Sequence, residues 1–182
     1  MAEHATHQYA SAYDGRVCID GATTMREIER KFLLNDTAFL TGLRGERLAQ
    51  GYLATTARAT VRVRTGDGRA WLTVKGRTEG FSRHELEYEI PLAHAELCLA
   101  ELCTGAVIDK TRFRVPYAGK VWEVDVFHGD NDGLVVAEIE LLREDEPFEC
   151  PPWLGAEVSG DPRYYNANLV THPYRSWGAR RA

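Results

Sequence analysis

Met25-Arg26-Glu27-Ile28-Glu29-Arg30-Lys31-Phe32 is the first strongly patterned run of the chain. Side chains two apart on an extended strand share a face, which puts Glu27, Glu29 and Lys31 on one side and Ile28 and Phe32 on the other. The same division recurs further on. Arg62 and Arg64 oppose Val61 and Val63; Thr73 and Lys75 oppose Leu72 and Val74; Glu85, Glu87 and Glu89 oppose Leu86, Tyr88 and Ile90. Lys110, Arg112 and Arg114 oppose Thr111, Phe113 and Val115; Glu123 and Asp125 oppose Trp122, Val124 and Val126; Glu138 and Glu140 oppose Ala137, Ile139 and Leu141. One such strand is an ordinary solvated sheet face, held by cross-strand ion pairs worth about 0.2–1 kcal/mol each. A whole set is not: solvated faces mix in Ser, Thr and Gln, whereas these positions are nearly all ionised.

The pattern predicts eight strands, over 25–34, 47–55, 60–64, 70–75, 84–91, 107–117, 121–127 and 134–142. Short turns such as Gly66-Asp67-Gly68 and Ala118-Gly119 favour antiparallel hairpins. Helical patterning is confined to 93–103, to 161–170, where Asp161-Pro162 resembles an N-cap followed by proline, and to a short piece within 35–42. Eight antiparallel strands are about the number that closes around one small ligand. The expected fold is therefore mainly β (α+β), an eight-stranded antiparallel closed β-barrel, or tunnel, with a few peripheral helices.

If the charged face points inward, both signs of charge line the tunnel. Burying so many ions costs several kcal/mol apiece unless each is paired or bound, so the interior calls for a highly charged ligand together with metal ions. Lys31, Arg62, Arg64, Lys75, Lys110 and Arg112 suit phosphate oxygens. Glu27, Glu29, Glu85, Glu87, Asp125, Glu138 and Glu140 supply the hard oxygen donors that magnesium or manganese prefers.

A chain of 182 residues, 44% hydrophobic and 27% charged, is of single-domain size. Residues 1–24 lack a sustained period and read as a flexible extension, 25–175 as the tunnel domain and 176–182 as a tail. The net charge of -5 argues against a nucleic-acid binder relying on a basic surface. Cys18, Cys98, Cys103 and Cys150 form no CxxC pair and show no zinc spacing with the histidines. With no signal-like or membrane-spanning apolar run, a cytoplasmic protein without a membrane partner is expected. No GxSxG, HExxH or GxxxxGK[ST] occurs, which leaves covalent hydrolase, zincin and P-loop chemistry unsupported.

Glu27-Ile28-Glu29-Arg30-Lys31 is an ExExK motif and resembles the CYTH domain of the triphosphate tunnel metalloenzymes. Arg62-Val63-Arg64, Leu72-Thr73-Val74-Lys75, Glu85-Leu86-Glu87, Lys110-Thr111-Arg112, Glu123-Val124-Asp125 and Glu138-Ile139-Glu140 resemble that family's later strands, in the same order. Gly51-Tyr52-Leu53 and Arg163-Tyr164-Tyr165-Asn166 are similar to features of its short bacterial members. The resemblance implies a tunnel that hydrolyses a small triphosphate with Mg2+ or Mn2+, inorganic tripolyphosphate first among substrates. It implies Glu27, Glu29, Asp125, Glu138 and Glu140 as metal ligands, and the six cations above as phosphate ligands. Lys31, Glu85, Glu87 and Tyr52 are the catalytic candidates, with Glu85, Glu87 or the metal activating the water. Arg163 is placed on a plugging helix, and a homodimer is borrowed from the family. Thiamine triphosphate or nucleotide hydrolysis, ATP cyclisation and non-catalytic polyphosphate binding are the alternatives.

Overall fold

The computed structural model describes residues 25–178; the extension assigned to residues 1–24 and the last four residues of the tail lie outside them. Nine strands form one antiparallel sheet: β1 (Met25–Leu34), β2 (Glu46–Thr55), β3 (Ala59–Gly66), β4 (Arg69–Gly76), β5 (Ser82–Glu89), β6 (Thr104–Tyr117), β7 (Lys120–Phe127), β8 (Val135–Glu140) and β9 (Leu154–Glu157). The order is β5-β4-β3-β2-β6-β7-β8-β1-β9, and a further β5–β1 pairing closes the first eight into a barrel. The eight expected strands are all present. The ninth, four residues long and too short to show a period, was missed; it pairs with the end of β1 through Phe32↔Glu157 and Leu34↔Leu154.

Two of the hairpins follow from turn chemistry. Asp67 and Gly68 join β3 to β4 with φ of 45° and 75°, and Ala118 and Gly119 join β6 to β7 with φ of 47° and 76°. Both are two-residue loops in the left-handed region, whose twist matches that of paired strands.

The register puts the charged positions on one face and turns it inward, so most of the apolar packing lies outside the barrel. Ile28, Phe32, Trp122, Val124, Ala137 and Ile139 pack beneath Phe148 and Trp153 of the segment after β8 and beneath Phe39 and Leu40. Val63 and Ala70 pack under α1 (Leu92–Leu97), which runs on as a π-helical turn to Leu102. A backbone Cβ at Gly51 would meet Cys103 Sγ at 2.6 Å, so only glycine lets the end of this helix seat against β2.

A third cluster plugs one end of the tunnel: Tyr52, Ile108, Phe127, Leu134 and Val136 from the strands meet Tyr164, Leu169 and Val170. The helix expected over 161–170 is here two short pieces, a 3-10 turn at Pro162–Tyr164 and α2 (Asn166–Leu169). Asp161 accepts from the Arg163 amide as the N-cap reading requires, but the chain leaves helical geometry at Tyr165, whose hydroxyl donates to the Ser159 carbonyl. The expected piece in 35–42 is a 3-10 turn, Ala38–Leu40.

Candidate active site

Adjacent strands bring the inward residues into direct opposition. Lys31 faces Glu138 and Glu29 faces Glu140 across β1 and β8, and Arg112 faces Asp125 across β6 and β7. Arg62 faces Thr73 across β3 and β4, while Thr73 faces Glu87 and Lys75 faces Glu85 across β4 and β5. The charged strand residues paired in this way therefore share the tunnel-facing side of the sheet.

The wall made by β6, β7, β8 and β1 is tightly paired. Asp125, fully buried, accepts from Lys110 Nζ at 2.6 Å and from Arg112 Nε and Nη2 at 2.7 and 2.6 Å. Arg112 also donates to Glu138 Oε2 at 3.0 Å and to Glu123, and Lys31 Nζ lies 2.6 Å from Glu138 Oε1. Burial alone would raise the Glu138 carboxyl, but Lys31, Arg112 and Lys110 together hold it well below the usual carboxylate range. Asp125 is lowered in the same way, its burial outweighed by Arg112 and Lys110. Burial pulls the Lys110 ammonium down to about 8 against the pull of Asp125.

On the β3–β5 wall the contacts are longer. Arg62 and Arg64 reach Glu87 Oε2 at 3.3 and 3.4 Å, and Thr73 donates to the same oxygen at 2.8 Å. The Nε atoms of both arginines are buried without a hydrogen-bond partner. Lys75 bridges the closing seam, 2.7 Å from Glu27 and 3.0 Å from Glu85, and Arg83 adds a 2.6 Å bond to Glu27.

Tyr52, a catalytic candidate from sequence, is buried in the core. Its ring belongs to the apolar plug, while burial, set against the Arg62, Lys31 and Arg83 charges near its hydroxyl, raises its pKa. Gln50, also fully buried on the tunnel face, escaped the search for ionised residues; its Oε1 has no partner. Arg163 does not enter the plug: it is exposed and bonded to Asp161, and Tyr164 points inward instead. Glu89 and Glu123 make ion pairs at the rim, with Arg69 and with Arg112 and Arg114.

Glu29 is the carboxylate of this cluster whose charge is least compensated. Burial, with Glu138 and Glu27 as like charges, pushes its carboxyl up to about 7 despite Lys31. Glu29 is thus a buried carboxylate with less compensating positive charge than Glu27 or Glu138, and a hard oxygen donor of the type divalent ions prefer. Among the described residues no three acidic or imidazole groups already converge as a ligand set. Glu138 is held by Lys31 and Arg112, and Glu27 by Lys75 and Arg83, so these carboxylates would have to exchange cationic partners to hold a metal ion.

A match to the CYTH domain spans residues 25–174. An inorganic triphosphatase from Acetivibrio thermocellus is 46% identical over 152 residues, covering 84% of this chain and 97% of that protein. An inorganic triphosphatase from Nitrosomonas europaea is 39% identical over 152 residues, 80% and 97% of the two chains. A crystal structure of an inorganic triphosphatase superposes with a TM-score of 0.59 at 34% identity, over 79% of this chain and 93% of its own. With the ordered charge pairs of the tunnel wall, these similarities establish that the chain belongs to the CYTH domain family.

Proposed function

We propose that this chain is a divalent-metal-dependent triphosphatase that hydrolyses inorganic tripolyphosphate to diphosphate and phosphate inside the tunnel. The observation that carries the reading is the tunnel itself, where cations and carboxylates too numerous for a structural core face one another across a barrel sized for one small ligand. Support comes from the inorganic triphosphatases to which the chain is similar over four fifths of its length.

Phosphoryl transfer needs in-line placement of water and neutralisation of charge on the transferred group, with little covalent work by the protein. Arg62 and Arg64, each with a free buried Nε, and Lys75 take phosphate oxygens from one wall. Lys31, Lys110 and Arg112 take them from the other. Glu27, Glu29, Asp125, Glu138 and Glu140 hold Mg2+ or Mn2+, which supplies Lewis-acid neutralisation of the phosphate chain. An anion would draw on cations that the carboxylates now hold, which would leave those carboxylates available to hold a metal ion.

Of the acidic candidates for proton acceptor, Glu85 fits better than Glu87. Burial, with Glu27 nearby, raises its carboxyl against Lys75, whereas Glu87 is committed to Thr73 and two guanidiniums. The pH–rate profiles of Glu85→Gln and Glu87→Gln separate the two carboxylates, since the variant that loses the acceptor loses the limb it causes.

A cytoplasmic, homodimeric enzyme using no nucleic-acid or membrane partner completes the proposal. No helix among the described residues is long and apolar enough to cross a membrane. The deciding experiment offers purified protein tripolyphosphate, ATP and thiamine triphosphate in parallel, each with magnesium, manganese or excess chelator. Metal-dependent phosphate release from tripolyphosphate alone is expected. A folded protein that binds tripolyphosphate yet releases nothing from any substrate would be a binding module.

A further inference from the structure

Trp71, on β4 two residues before Thr73, shares the tunnel face of that strand. It stands directly opposite Arg64 of β3 and Glu89 of β5. The Arg64 guanidinium lies 5.0 Å from the centre of its ring, and that of Arg69 lies 5.2 Å from it. Arg69 is itself fixed by a two-pronged pair to Glu89, at 3.1 and 2.5 Å. Glu89, Arg69, Trp71 and Arg64 thus form a ladder running from the rim into the tunnel.

Arg64 needs such a support. The like charge of Arg62 sits two residues away on the same face, and the bond to Glu87 is long, at 3.4 Å. Its Nε is buried and unpartnered. A guanidinium restrained mainly by hydrogen bonds has most of its donors engaged by protein carboxylates, as Arg112 has; one restrained by an aromatic face keeps more of its N–H groups available to a ligand.

We propose that Trp71 is a positioning residue for the triphosphate site, holding the Arg64 guanidinium by cation–π contact so that its unpaired N–H edge meets a phosphate oxygen. The inference rests on the tunnel being the triphosphate site. It adds that the affinity contributed by Arg64 depends on the indole.

The test is calorimetric binding of tripolyphosphate, in excess chelator so that no turnover intrudes, to wild type, Trp71→Leu, Trp71→Phe, Arg64→Ala and the Trp71→Leu/Arg64→Ala double variant. Thermal melts accompany each to confirm folding. Trp71→Leu should weaken binding by about tenfold and Trp71→Phe by about threefold or less, the range of a partly buried cation–π contact. In the Arg64→Ala background Trp71→Leu should cost nothing further. Unchanged affinity in Trp71→Leu, or an equal loss with and without Arg64, would overturn the positioning role. Failure of the wild type to bind tripolyphosphate would instead defeat the reading of the tunnel as a triphosphate site.

Discussion

The two walls of the tunnel carry the same kinds of residue and use them differently. On the β6–β7–β8–β1 wall most charges have a short partner, Glu29 being an exception at 3.6 Å from Lys31, and Asp125 alone accepts three bonds of 2.6–2.7 Å. On the β3–β4–β5 wall two arginines share one carboxylate oxygen at 3.3 and 3.4 Å and leave their Nε atoms unpaired. The first wall resembles a finished ionic lattice, whose loss of any member strands a buried charge. The second is an arrangement short of acceptors, which a polyanion completes. Stability should depend on the first wall, and affinity on the second.

The largest break should come from Glu138→Gln combined with Glu140→Gln, which removes the carboxylate pair assigned to metal. Metal-dependent phosphate release should fall by at least about 100-fold, an outer-limit loss for the ligands of an essential ion, while tripolyphosphate binding in chelator survives. Unchanged turnover would refute the metal assignment. Next, Asp125→Ala leaves Lys110 and Arg112 buried without their main partner and should cost about 3–5 kcal/mol, the usual penalty for breaking a buried pair. A denaturant midpoint compared with that of Glu87→Ala reads this directly; equal losses would erase the distinction between the walls.

A pH series sharpens the first wall further. The Glu29 carboxyl sits near 7 when folded and near 4.5 when free, so in metal-free protein its contribution to stability is full below about 4.5 and is lost as pH rises through 7. Glu85, also raised, adds in the same direction. Glu138, Glu27 and Asp125 are lowered, so their contribution falls away only on the acid side of the usual carboxylate range and leaves pH 5–8 clear. Metal-free protein should melt at a lower temperature at pH 8 than at pH 5.5, and magnesium or manganese should remove the difference. A flat metal-free profile would contradict the crowding of carboxylates around Glu29. The smallest effect is expected from Arg64→Ala on the looser wall: about a tenfold rise in KM, the scale of one charge-assisted bond, with a melting shift of a few degrees at most.

Most of the barrel was legible because period-two alternation and the segregation of charge to one face are local facts. Glu27, Arg62, Asp125 and Glu138 needed only their neighbours to be assigned to the tunnel. What stayed hidden depends on contacts between distant strands. β9 exists because the end of β1 offers it an edge, and four residues carry too little pattern to announce that. The C-terminal helix was expected from its N-cap, yet Tyr165 breaks it and Arg163 turns outward, outcomes fixed by the packing of Tyr164 into the plug. Trp71 and Gln50 belong to the tunnel face by strict alternation, but a search keyed to ionised residues passes over an indole and an amide. Whether a given lysine meets its own carboxylate or leaves it for another is a three-dimensional property with no one-dimensional trace.

The closure of the barrel through β1 has a kinetic consequence. The first strand of the domain bonds to Ser82–Glu85 on one edge, to residues 136–140 on the other, and through its end to Leu154 and Glu157. Contacts of such long sequence separation form late and slowly. During synthesis, at about 5–20 residues per second, β1 waits on the order of ten seconds for its last partners. Throughout that interval Glu27, Glu29 and Lys31 stand in water, which keeps a strand with an apolar back soluble until the ring can shut.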